Sequence, residues 1–260
     1  MRSNSRMDPI LEIHDLTVAY NGTPALEGLS FTVQAGQRVA IVGPNGAGKS
    51  TLFKAIVGLL HPQSGRVRAN GEVGYVTQRS AVDWRFPVTV YDVVLMGRVT
   101  KMGWLRWPRA HDRQIALRSL AQVGMEEYAN RQIGELSGGQ QQRVFIARAL
   151  AQEANILLMD EPFSGVDAPS RQSILEIMDR LHEQGVTMLI STHDLNLALS
   201  HFERMALLNR KLIAYGPPRE AITPQTLIAA YGGQALWRGD DYALVLGDID
   251  CCGERGHRHD

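Results

Sequence analysis

Arg38-Val39-Ala40-Ile41-Val42-Gly43-Pro44-Asn45-Gly46-Ala47-Gly48-Lys49-Ser50-Thr51 is a short apolar run that breaks into a glycine-rich loop and then opens a helical pattern. Its second half, Gly43–Thr51, satisfies the G-x-x-x-x-G-K-[ST] spacing. Glycines allow successive backbone N–H groups to turn inward as an anion nest. The helix that follows presents its positive N-terminal end to the same anion. In that arrangement Lys49 reaches the β- and γ-phosphates of a nucleotide, and the Ser50 hydroxyl holds Mg²⁺.

Outward from this loop, Ile10–Tyr20 alternates apolar and polar residues as a half-buried strand does. Phe31–Val33 reads as a short strand and Ala35-Gly36 as a turn. Ser50–Leu60 predicts a helix that stops near His61-Pro62, and Val73–Val76 a further strand. From about Arg79 to Gln152 the pattern is mainly helical. Ala116, Leu117, Leu120 and Val123 recur at helical spacing before Gly124. Strand-like runs return at Ile156–Asp160, Thr187–Ser191 and Met205–Leu208, with a helix over Ser170–Gln184. Such alternation predicts an α/β core with a parallel sheet, interrupted by a helical insertion. The expected organisation is a flexible N-terminus (1–9) and a single domain (10–246). Within it, the core spans about 10–78 and 153–246 and the helical subdomain about 79–152; a polar tail follows (247–260).

Composition narrows the function classes. The 260 residues are 44% hydrophobic and 21% charged, enough to bury a core. Lys+Arg and Asp+Glu balance at 27 each, without the basic excess of a general nucleic-acid binder. No apolar run approaches the roughly 18 residues that span a bilayer, and Met1–Pro9 lacks the apolar stretch of a secretory signal. A membrane role would therefore act through a partner. The cysteines, Cys251 and Cys252, are adjacent, which gives no disulfide framework and fits a reducing cytoplasm.

Two further motifs carry chemistry. Ile156-Leu157-Leu158-Met159 delivers Asp160 and Glu161 at the C-terminal end of a buried strand, the end at which open α/β sheets bind ligands. There Asp160 is placed to hold Mg²⁺ and Glu161 to polarise an attacking water. Leu136-Ser137-Gly138-Gly139-Gln140, followed by Gln141-Gln142-Arg143, places an N-capping serine before a helix through Gln142–Gln152 and leaves its first N–H groups uncovered. One chain thus holds two anion sites.

With these motifs in this order, the chain resembles the ATP-binding-cassette (ABC) ATPases from about Ile10 to Leu246. The resemblance implies a P-loop NTPase (RecA-like) parallel-sheet core with an N-terminal antiparallel β subdomain and an inserted α-helical subdomain. It implies that Tyr20 stacks on adenine and that Gln78 links the Mg²⁺ and water site to the helical subdomain. Asp167, in Ser164-Gly165-Val166-Asp167, belongs by the same resemblance to a loop that crosses to the opposite subunit, and His193 contacts the γ-phosphate. Unaided, Tyr20 reads as a strand-end tyrosine and His193 as a structural histidine. Two subunits are expected to pack head to tail, with each ATP between Gly43–Thr51 of one and Ser137–Gln140 of the other.

A single cassette without spans resembles importer ATPases, which work on a separate permease and its substrate-binding protein at the cytoplasmic face of the inner membrane. Gly74–Val94 and Glu161–Ala168 resemble the manganese, zinc and iron subgroup. An iron-chelate, haem or cobalamin importer is the alternative cargo class, and a soluble non-transport ABC ATPase the alternative of another kind. Trp84, Phe86 and Tyr91 read equally as permease contacts or as internal packing, and Trp104 and Trp107 as packing or interface. Arg79–Arg109 holds six basic residues against Asp83 and Asp92, a solvated face or one near anionic headgroups. The tail residues Asp248, Asp250, Cys251, Cys252, His257 and His259 have the composition of a transition-metal site but the spacing of no standard module.

Overall fold

The computed structural model describes residues 8–78, 86–102, 107–232, 235–236 and 245–246. The chain opens with a hairpin of β1 (Leu11–Tyr20) and β2 (Thr23–Val33). Its turn is Asn21-Gly22, with φ of 50° and 82°, the left-handed pair that matches strand twist. Strand β3 (Arg38–Val42) then leads through the glycine-rich loop into helix α1 (Lys49–Ile56). Next, β4 (Ser64–Ala69) pairs antiparallel with the free side of β1, giving a three-stranded sheet ordered β2-β1-β4.

The second sheet has six strands. Added to β3 are β5 (Val73–Val76), β6 (Ile156–Asp160), β7 (Thr187–Thr192), β8 (Arg204–Asn209) and β9 (Lys211–Gly216). Their order is β5-β6-β7-β3-β8-β9, parallel throughout except for the β8–β9 pairing. Both faces of this sheet are covered, and period-2 alternation sorts its side chains. Val39, Ile41, Ile156, Leu158 and Leu189 join a core with β1, β2 and α1. Ala40, Val42, Leu157, Met159, Met188 and Ile190 face the other way into a helical core.

Between β5 and β6 lie α2 (Val90–Leu95), α3 (Val99–Met102), α4 (Ala110–Gln122) and α5 (Gly138–Leu150). Arg98, 4% exposed, ties this segment together. Its Nε donates to Asp112 Oδ1 (3.2 Å), and Nη1 donates to Ala151 O (2.9 Å) and Glu153 Oε2 (2.7 Å). After β6 come α6 (Ala168–Glu183), α7 (Leu195–His201), α8 (Pro218–Ala221) and α9 (Pro224–Tyr231).

Several local readings shift. Helix α1 ends at Ile56 rather than near Leu60, because Gly58 (φ 75°) turns left-handed. The N–H groups of Gly58 and Leu59 fold back onto Ala55 O and Lys54 O, the paired bonds of a glycine C-terminal stop. Strand β2 runs eight residues further back than Phe31, and β4 and β9 carry no strong sequence signal because both lie at sheet edges, β4 mostly exposed and β9 mostly half-buried, so neither alternates cleanly. On α4, Ala116 and Leu120 are buried with Val123, whereas Leu117 is 48% exposed on the opposite side. Tyr91 packs against the helical core, Phe86 is exposed, and Trp107 is 90% exposed and so is no local packing residue. Trp84, Trp104 and the Cys/His tail lie outside the described residues. Among the described residues, no helix is long and apolar enough to cross a membrane.

Candidate functional site

The glycine-rich loop sits at the C-terminal end of β3, where two close approaches shape it. A Cβ on Gly43 would strike the Leu208 carbonyl of the neighbouring strand, so the loop lies flat on the sheet end. Gly48, at φ 97°, caps α1 while pressed against Leu26 and Ala25 O of the hairpin. Lys49 follows, 6% exposed, and its ammonium donates to Gly43 O (2.8 Å) and Pro44 O (3.1 Å). Its Nζ is also 3.7 Å from Glu161 Oε1. Burial pulls the Lys49 pKa below that of a free lysine, and the charges of Glu161 and Asp160 oppose the shift.

A cavity of about 560 Å³ opens over this loop. Tyr20, Ala25, the backbone and side chains from Asn45 to Thr51, Gln78 and Glu161 line it. Tyr20 stands at the hairpin's end, 44% exposed, with its hydroxyl 3.5 Å from Thr51 Oγ1. Gln78 Nε2 donates to Glu161 Oε2 at 3.4 Å. Tyr20, the loop, Gln78 and Glu161 are therefore brought together from four separate parts of the chain.

Asp160 lies beneath, 2% exposed, with both carboxylate oxygens engaged. Ser191 Oγ donates to Oδ1 (2.6 Å) and Tyr75 OH to Oδ2 (3.4 Å). Burial and the adjacent Asp160 charge push the Tyr75 phenol upward, which keeps it a donor. Glu161 takes φ 48°, unusual for a residue with a Cβ, and its N–H donates to Ser191 Oγ (2.8 Å).

The other candidates stand apart from this cavity. His193 is exposed and lines a neighbouring cavity of about 60 Å³ with Phe163, Ser164, Arg171 and Asp194, sharing Glu161 with the first. Asp194 caps α7 by accepting from Leu197 N–H (2.9 Å) and pairs with Arg171 on α6 (2.5 Å). Burial raises its pKa, but these two partners outweigh it and the net shift is downward. Ser137 and Gln140 form a capping box at the start of α5: Ser137 N–H donates to Gln140 Oε1 (2.9 Å), and Gln140 N–H to Ser137 Oγ (3.3 Å). The Ser137 hydroxyl proton stays free to donate elsewhere. Gly139 is buried where any Cβ would meet Ser170, which locks α5 against α6. Asp167 is exposed and caps α6 through Ser170 N–H (2.8 Å). Neither Ser137–Gln140 nor Asp167 lines either cavity.

Sequence reasoning did not single out Ser191, Tyr75 or Arg171. The polar Ser191 closing the apolar run Met188–Ile190 is the one visible signal. For Tyr75 and Arg171 the partners lie 85 and 23 residues away, and no local pattern announces them.

Comparison with known proteins follows this geometry. The family described as ABC transporter matches residues 26–164. The chain is 45% identical over 249 residues to the manganese transport system ATP-binding protein of Halalkalibacterium halodurans, covering 92% of this chain and 99% of that protein. The chain belongs to the ABC transporter family. It is also 47% identical over 232 residues to the zinc transport system ATP-binding protein of Treponema pallidum, covering 86% and 87% of the two. Its fold matches a solved inward-facing transporter assigned to the metal-chelate ABC type, with a TM-score of 0.80, 31% identity and coverage of 86% and 89%. This ABC protein is an ATP-binding, ATP-hydrolysing subunit, built on the P-loop fold with an antiparallel β-sheet and helices around a mixed core sheet.

Proposed function

We propose that this chain drives import of manganese, zinc or iron through a separate permease, two copies closing on two ATP at the cytoplasmic face of the membrane. The observation that carries the ATPase half is the cavity that joins the Gly43–Thr51 loop to Gln78 and Glu161. Tyr20 would stack on adenine and Lys49 would exchange its loop carbonyls for phosphate oxygens. Ser50 and Asp160 are hard oxygen donors that suit Mg²⁺, with Gln78 beside them. Bound there, Mg²⁺ would spread the charge of the phosphate oxygens. Glu161 would take the proton of an attacking water, and His193 would approach the γ-phosphate from the neighbouring cavity.

The dimer is supported by what one copy lacks. The exposed Ser137 at the start of α5, whose hydroxyl proton is free to donate, lines neither cavity of its own chain, so Ser137–Gln140 of the partner subunit would complete each ATP site. Asp167 would lie in the same seam. The helical segment 79–152, set into a core of 10–78 and 153–246, would receive the permease, and a substrate-binding protein would present the cargo outside. Cargo rests on the manganese and zinc systems named above. Cells deleted for this gene should accumulate less manganese, zinc or iron, and excess metal should restore growth. A deletion that takes up all three normally but fails on a chelate, haem or cobalamin would overturn the cargo and leave the ATPase reading standing.

A further inference from the structure

Ser191 follows the apolar run Met188-Leu189-Ile190 in β7, and it is 0% exposed. It ends the run Thr187-Met188-Leu189-Ile190 on β7, directly paired with Asp160 on β6 and with Ile41 on β3. Paired residues of adjacent strands point to the same face, so the Ser191 and Asp160 side chains meet. Its hydroxyl is used in both directions at once. It donates to Asp160 Oδ1 at 2.6 Å and accepts the Glu161 N–H at 2.8 Å.

The two bonds act on different properties. The first selects one rotamer of Asp160, whose second oxygen meets Tyr75 OH. The second holds the peptide of Glu161, which stands at φ 48°, a conformation costing a residue with a Cβ on the order of 1–3 kcal/mol. That left-handed turn aims the Glu161 side chain at Lys49 and Gln78 instead of continuing the strand. A fully buried hydroxyl donating to a carboxylate is among the stronger hydrogen bonds of a protein interior.

We propose that Ser191 is a positioning residue for ATP hydrolysis, fixing Asp160 and Glu161 in their relative orientation without touching the nucleotide. The proposal rests on the roles assigned above to those two acids. It gives the strand that separates the phosphate loop from the acid pair a part in the chemistry through one hydroxyl.

The test uses the full-length chain with Ser191→Ala, Ser191→Thr, Glu161→Gln and the Ser191→Ala/Glu161→Gln double variant. Ser191→Ala should lower kcat about tenfold or more, on the scale of one lost charge-assisted hydrogen bond. KM for ATP should stay within about threefold, while the Mg²⁺ concentration for half-maximal activity rises. Ser191→Thr, which keeps the hydroxyl, should restore most of kcat and lower the Mg²⁺ requirement again. In the double variant, Ser191→Ala should add little to the loss from Glu161→Gln, because both act on one step. An unchanged kcat and Mg²⁺ requirement in Ser191→Ala would overturn the proposal, as would a loss that multiplies with that of Glu161→Gln. If Glu161→Gln alone is nearly as active as wild type, the reading of Glu161 fails instead. The Mg²⁺ requirement of Ser191→Ala then decides: raised, it upholds the hold on Asp160; unchanged, it ends the proposal.

Discussion

Glu161→Gln tests the catalytic reading most sharply because the structure shows what the charge does before nucleotide arrives. Glu161 Oε1 is 3.7 Å from Lys49 Nζ and Oε2 accepts from Gln78 Nε2 at 3.4 Å. At that separation the ion pair is worth on the order of 4 kcal/mol of gross attraction at an effective dielectric of about 20. Desolvation of the nearly buried Lys49 offsets much of it. An arriving phosphate competes with Glu161 for the same ammonium. Glutamine is the same size and keeps a hydrogen-bonding oxygen, but removes the competing charge, so ATP should bind at least as tightly. Hydrolysis loses its base and should slow by roughly 100-fold or more, equivalent to about 2.7 kcal/mol. Equilibrium binding of a labelled ATP, phosphate release and gel filtration with ATP measure the three consequences, the last showing a persistent dimer. Lys49→Ala should give the opposite pattern, with weakened ATP binding and no dimer. Turnover within threefold of wild type in Glu161→Gln would refute the assignment, and so would weaker ATP binding by that variant.

Two further variants probe the framework. Arg98→Met keeps the volume but leaves the buried Asp112 carboxylate without its guanidinium, so the chain should lose about 3 kcal/mol. That corresponds to a Tm roughly 6–12 °C lower by calorimetry, and a drop under about 2 °C would show that the buried network is dispensable. Gly139→Ala pushes a methyl onto Ser170. Overpacking costs about 1–3 kcal/mol against a helix-propensity gain of about 1 kcal/mol, so a modest net destabilisation and weaker ATP-dependent dimerisation are expected. A more stable, fully dimerising variant would show that α5 and α6 are not tightly apposed.

The features legible in the sequence are those the chain writes contiguously. Gly43–Thr51 carries its own turn chemistry, and Ile156–Glu161 its own burial pattern, so strand, loop and acids were all legible. Leu136–Gln140 likewise announces its cap, which the structure realises in Ser137 and Gln140. The hydrogen bonds of Ser191, Tyr75 and Arg98 were not legible, because each joins residues 14–85 positions apart that only the sheet order and helix packing bring together. The sequence pattern overextends α1 for a local reason: the apolar Leu59 and Leu60 continue a helical pattern that Gly58 has already stopped. The edge strands β4 and β9 are not legible because neither alternates buried with exposed residues: β4 is mostly exposed and β9 mostly half-buried.

Strand β7 stands between β3 and β6, so the phosphate loop and the acid pair are two strand spacings apart, about 10 Å at roughly 4.8 Å each. That interval is a lattice constant of backbone hydrogen bonding. Side-chain substitution can retune what lines the gap but cannot rescale it. The same holds for changes in the α2–α5 segment, which enters the chain between β5 and β6. An engineer could therefore exchange α2–α4 to suit a new membrane partner, keeping Ser137–Gln140 and α5, while the catalytic gauge stays set.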